Sequence, residues 1–274
     1  ALQNLSQYIE EFPKGNFILN ANYYMGDCYY KTNQFDNALT AFNQVVQKPK
    51  NPFTEQTLLA AASIYMQQSK YAEAYEMYSM LESLADLRSS LLDARLGMMR
   101  SAQKLNNHQQ VVETSAKVLI TEKLPNEIEI EARFSKAKAL VELDRLSDAF
   151  NEFAMVSTNL KTKQGAEAKY RMAKIYFDRG EFDKAEKEIF NFAEKNTPHQ
   201  YWLATSFILL ADVYIAKDDF FQAKATLQSV IDGYGTTNDG IIDTASNKLT
   251  NLVKAEKEKQ HGANSNDTIN IQWN

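Results

Sequence analysis

Apolar residues in this chain recur at spacings of three, four and seven, the period of an amphipathic helix, and the helical segments themselves repeat. One segment reads Met25-Gly26-Asp27-Cys28-Tyr29 and continues with Phe35, Ala38, Phe42 and Val45. Aligned on Ala38, the equivalents are Ala74, Val111, Ala149, Ala185 and Ala223, at steps of 36, 37, 38, 36 and 38 residues. Twelve positions earlier the same register gives Gly26, Ala62, Met99, Ala137, Ala173 and Ala211, mostly small. Four positions later it gives Phe42, Tyr78, Ser115, Phe153, Ile189 and Leu227, and seven later Val45, Leu81, Val118, Val156, Phe192 and Val230.

The pattern predicts six helix hairpins. In each, a first helix (A) carries a small residue and a second helix (B) carries alanine followed by two large residues. The small positions let the backbones approach, and the large ones fill the space between them and the next hairpin. Short polar turns separate A from B: Thr32-Asn33-Gln34, Gln68-Ser69-Lys70, Arg179-Gly180-Glu181 and Lys217-Asp218-Asp219. Proline-bearing breaks start new hairpins at Lys48–Pro52, at Pro125-Asn126 and at Asn196–Pro198. The third hairpin departs from the pattern, with Ala102, His108 and Ser115 where bulky residues stand elsewhere, and is expected to be the loosest joint.

Before the first hairpin, residues 1–13 read as the second helix of a preceding, truncated repeat, so the chain is expected to be a fragment of a longer one. Six hairpins are expected over 14–235 and a capping helix over 236–260, with the apolar stripe Ile241, Ile242, Ala245, Leu249, Leu252 and Val253. The Asn/Ser-rich residues 261–274 are expected to be a disordered tail, with Ile269, Ile271 and Trp273 free for a contact.

These residues resemble the tetratricopeptide repeat family, and the likeness extends over roughly residues 16–235. It is closest in the unit with Gly26, Tyr29, Ala38, Phe42 and Pro52. The family's early Trp is absent, and the mean step of 37 exceeds the ~34 of the motif, which implies longer connections. The resemblance implies an all-α chain, an alpha-alpha superhelix (solenoid) whose concave face is lined by the A helices. The family's carboxylate clamp for chaperone tails is not expected, because Tyr23, Asp27 and Ala60 stand where its Lys and Asn would be. The aromatic-rich helix Asn22–Tyr30 looks more like bacterial cell-envelope repeat proteins, which implies a periplasmic or envelope setting.

Composition narrows the function. The 274 residues carry 30 basic and 35 acidic side chains, a net charge of −5, without a clustered cationic surface, so nucleic acid is not an expected partner. Nine glycines and five prolines are too few for a loop-rich β protein, and the most apolar run, Phe207–Ala211, is far too short to span a membrane. One cysteine, Cys28, and three scattered histidines, His108, His199 and His261, form no metal or nucleophile motif. The Asp/Asn/Gly-rich stretch Asp232–Gly240 lacks the bidentate Glu of a calcium loop. No catalytic, metal or cofactor site is expected, and the chain is not expected to be an enzyme.

What remains is a binding face. The residue after each small A-helix marker should point into the groove: Asp27, Ser63, Arg100, Lys138, Lys174 and Asp212. The central three make a basic ladder, and Phe134, Tyr170 and Phe177 interleave with it. Cations among aromatic rings suit an extended peptide or protein partner bearing acidic groups. The plainer reading pairs Lys138 and Lys174 with Glu142, Asp178 or Glu167 on a solvated face. The expected function is therefore a non-catalytic protein-interaction scaffold; the alternative is a spacer or regulatory arm of a larger multidomain protein. Oligomeric state is not legible.

Overall fold

Every small residue used to set the register is buried. Ala38, Ala74, Ala149, Ala185 and Ala223 have no exposed surface and Val111 is 2% exposed in the computed structural model, which describes residues 1–265, with side chains described through Glu258. The described residues are all-helical and form two compact units, the first Ala1–Arg145 and the second beginning at Leu146.

The first unit contains α1 (Leu2–Glu11), α2 (Ile18–Lys31), α3 (Phe35–Val46), α4 (Thr54–Gln67), α5 (Tyr71–Leu84), α6 (Arg88–Lys104), α7 (His108–Leu119) and α8 (Asn126–Glu142). Consecutive helices pack in pairs, and α4 also touches α6, so A helices of successive hairpins lie side by side. The second unit contains α9 (Leu146–Val156), α10 (Lys163–Asp178), α11 (Phe182–Ala193), α12 (Gln200–Ala216), α13 (Phe220–Gly233) and α14 (Ile241–Ser265). There α10 packs on α12, and α12 on α14, in the same way. The apolar stripe of α14 is seated through Ile241, Ala245 and Leu252, and the helix runs to Ser265, past its expected end at 260. The contact residues expected in the tail, Ile269, Ile271 and Trp273, lie outside the described residues.

The A–B turns share one geometry. Asn33, Ser69, Asn106, Asp144, Gly180 and Asp218 all have φ between 53° and 71°, at the same 36, 37, 38, 36 and 38 steps as the buried small residues. In the first turn Asn33 N–H donates to Tyr30 O and Gln34 N–H to Tyr29 O, and the other five turns repeat both bonds. Each A helix thus ends in a left-handed residue that satisfies its last carbonyls and reverses the chain. Only Gly180 does so without a Cβ penalty.

The third hairpin closes by the reverse exchange of sizes. Met99 stands where the other A helices have Gly or Ala, and Ser115 where the other B helices have a large residue; both are wholly buried. Met99 joins Leu96, Val118 and Ala132 in one apolar cluster. Around it Glu82 binds Arg95 (3.2 Å) and Lys117 (2.6 Å), while Arg95 also donates to Lys117 O (3.0 Å) and Thr121 Oγ1 (3.1 Å), tying α5, α6 and α7 together.

Candidate functional site

The residue following each buried A-helix marker is open to solvent. Arg100 and Lys138 are exposed, and Asp27, Ser63, Lys174 and Asp212 are half-buried. A helix turns about 100° per residue, so the position beside a buried one on these packed helices looks along the face shared by the A helices.

In the first unit this face is built from α2, α4, α6 and α8. Arg100 on α6 is engaged bidentately by Glu131 on α8: Nε lies 2.8 Å from Oε1 and Nη2 2.8 Å from Oε2. Lys138, two turns along α8 from Glu131, has no carboxylate partner among the described residues. Its ammonium instead rests 5.3 Å from the centre of the Phe134 ring. Phe134 is only 8% exposed, so it is a support beneath Lys138 rather than the open contact the pattern suggested. Leu96, at the same register position on α6, is buried too. At the other end of the unit Tyr23 stacks on Phe53 (4.4 Å, 21°), Tyr24 meets both rings, and burial pushes the Tyr23 phenol up.

In the second unit Tyr170, Lys174 and Phe177 share one face of α10. Lys174 pairs with Asp178 one turn on and lies 5.7 Å from the centre of the Phe177 ring. Tyr170 leans on Trp202 of α12, with ring centroids 5.6 Å apart, and burial raises its phenol pKa. Asp212 is held by Lys248 of α14 at 2.5 Å. Two of the three ladder cations, Arg100 and Lys174, therefore carry an acid already, though for Arg100 it is Glu131, which sequence reasoning did not single out. Its signal emerges only once α6 and α8 are known to be neighbours: the acid six before one A-helix marker meets the cation just after the preceding marker.

Among the described residues no group of three or more His, Cys, Asp or Glu side chains could hold a metal ion, and no helix is long and apolar enough to cross a membrane. Cys28 is a half-buried free thiol.

The tetratricopeptide repeat model matches residues 20–51 and 200–237, which are the hairpins α2–α3 and α12–α13 with their flanks. These two stretches match tetratricopeptide repeats. Among solved structures it is similar to the C-terminal part of a TPR repeat-containing protein from Cytophaga hutchinsonii, with a TM-score of 0.56 and 14% identity over 77% of this chain and 78% of that one. It is similar to MamA, with a TM-score of 0.52 and 14% identity over 68% of this chain and 99% of that one. Kinesin light chain-like repeats from Podosopora anserina align with a TM-score of 0.50 and 17% identity over 66% of this chain and 95% of that one. At such identities the likeness speaks for the fold alone. None of the curated proteins matches the chain. Tetratricopeptide repeats serve as protein-interaction scaffolds and are in general not catalytic.

Proposed function

We propose that this chain binds an extended peptide or protein partner along the face that the A helices share within each unit, with no reaction of its own. The observation that carries the reading is the contrast at adjacent positions: each register residue is buried, while the next is an accessible polar or charged group. Lys138 and Lys174 stand over aromatic rings, which hold each cation in place on its helix. Arg100, Lys138 and Lys174 are the cationic contacts in this reading, Tyr170 and Phe177 the apolar ones, and Phe134 the support beneath Lys138. The partner is acidic where it meets them.

A photo-crosslinking residue placed at Ser63, or at half-buried Val141 one turn after the α8 marker Ala137, tests this, with one at the exposed Lys187 of α11 as control. Adducts are expected from the first two positions and not from the third, and charge reversal of Arg100, Lys138 and Lys174 together should remove them while helicity stays intact. Equal crosslinking from Lys187, or adducts that survive the triple reversal, would sink the reading. The aromatic-rich α2 supports a bacterial envelope setting within this proposal, and recovery of the native protein in a cytoplasmic fraction would exclude it.

A further inference from the structure

Tyr78 differs from its register equivalents. At that position the other B helices carry Phe, Leu, Ile or Ser, and Tyr78 alone brings a phenol. Its ring lies flat on Gly97 of α6: a β-carbon there would sit 2.4 Å from three ring atoms. That gap lets the side chain pass from α5 toward α6, with its phenol near Ser63 of α4 and within electrostatic reach of Arg100. Burial pushes the phenol up, so the hydroxyl stays protonated and is a hydrogen-bond donor.

Three polar groups from three helices thus converge: Ser63, Tyr78 and Arg100. The guanidinium fork is occupied, and its occupant is a carboxylate. Glu131 fills it through two 2.8 Å bonds, with 49% of the Arg100 side chain and 32% of the Glu131 side chain still exposed. Asp93 is the other acid near the guanidinium. With Glu131 already filling the fork, a further carboxylate gains little unless it takes the place of Glu131.

We propose that the Arg100 fork, flanked by the Tyr78 and Ser63 hydroxyls, is the seat for an acidic side chain of an extended peptide, and that Glu131 is its built-in competitor. The proposal rests on the A-face reading above and adds the chemistry of one position in it. A planar carboxylate is the ligand that reproduces the two parallel bonds now made by Glu131. Glu131 keeps the fork from capturing stray single carboxylates, and a peptide held along the rest of the face displaces it because the peptide's carboxylate arrives at high local concentration.

The test is fluorescence anisotropy on the whole chain with a fluorescein-labelled dodecapeptide of alternating Glu and Ala. Glu131→Gln removes the competing charge and should tighten binding about fivefold or more, the sense expected when an internal occupant is lost. Arg100→Gln should weaken binding at least about tenfold with an unchanged melting temperature, since that ion pair is half-exposed, and Tyr78→Phe should weaken it about threefold. Binding that is unchanged or weaker in Glu131→Gln, or retained in Arg100→Gln, overturns the proposal. If the probe binds but depends on Lys138 alone, the A-face reading stands and this seat does not. If no variant binds the probe while crosslinks still form at Ser63 and Val141, the acidic ligand is excluded and the interaction reading survives. Absence of those crosslinks is what removes the latter.

Discussion

Gly26 lies against the ring of Phe42: a β-carbon built on the glycine would stand 2.5 Å from both Cδ1 and Cε1 of that ring. Phe42 is 2% exposed and has no room to retreat. The pair joins the A helix to the B helix of the first hairpin, and it explains why the register demands something small on one and large on the other. Gly26→Ala gains about 1 kcal/mol of helix propensity but overpacks the contact by about 1–3 kcal/mol, so a net loss of stability is expected. Phe42→Leu in the same chain should recover much of that loss. Denaturant midpoints of the two single variants and the double variant check this, and additive losses would show that the two residues do not share the contact.

The six left-handed turn residues offer a second test. Ser69 and Gly180 hold the same position in equivalent turns, with φ of 58° and 71°. A side chain at such an angle costs roughly 1–2 kcal/mol against glycine's freedom to adopt it. Ser69→Gly should therefore stabilise by up to about 1 kcal/mol after the entropy glycine adds to the unfolded chain, whereas Gly180→Ala should destabilise by about 1 kcal/mol. Opposite signs in thermal unfolding are the expected outcome, and equal signs would mean the turns are not equivalent.

These turns also mark how far the fold was legible. Helix faces were readable because burial follows a 3.6 period, and Ala38 to Ala223 fell where the period placed them. The left-handed position was not, because Asn, Ser, Asp and Gly reach it by different routes and share no single letter. At the candidate site the openness of Arg100 and Lys138 followed from the register, since it depends only on which side of a helix a residue occupies. The Arg100–Glu131 pairing, the passage of Tyr78 over Gly97 and the burial of Phe134 depend on spacing between helices, which one sequence does not contain.

Glu55 supplies a pH test. Its carboxylate, on α4, accepts the backbone N–H of Asp86 at 2.8 Å through Oε1, with the Ser90 hydroxyl and the Leu87 N–H close to it, so it caps the start of α6 from the preceding hairpin. These donor groups favour the charged form, the Ser90 hydroxyl most of all, and hold the Glu55 pKa below its ordinary value. A carboxyl depressed on folding contributes stability above its unfolded pKa of about 4.3 and loses it as pH falls through the folded value. Glu55→Gln should therefore be less stable than the parent at pH 7, with the difference shrinking below about pH 4. A gap that stays constant down to pH 2 would show that the charge of Glu55 is not what holds the two hairpins.

The third hairpin tests whether size is conserved as a sum across the A–B contact. Met99 and Ser115 occupy the register positions of Gly26 and Phe42 with the sizes reversed, and the Ser115 hydroxyl is buried without a hydrogen-bond partner. Met99→Ala alone removes a buried thioether side chain and should cost about 2–5 kcal/mol. Ser115→Leu alone relieves the unpaired hydroxyl but pushes three carbons toward Met99, for an expected net loss of about 1–3 kcal/mol. Together they recreate the arrangement of the neighbouring hairpins, and the double variant should be more stable than Met99→Ala by at least about 1 kcal/mol. Calorimetry on the four chains decides it. If the double variant is no better than the worse single one, the two positions do not face each other, and the third hairpin is packed by a different rule from the second.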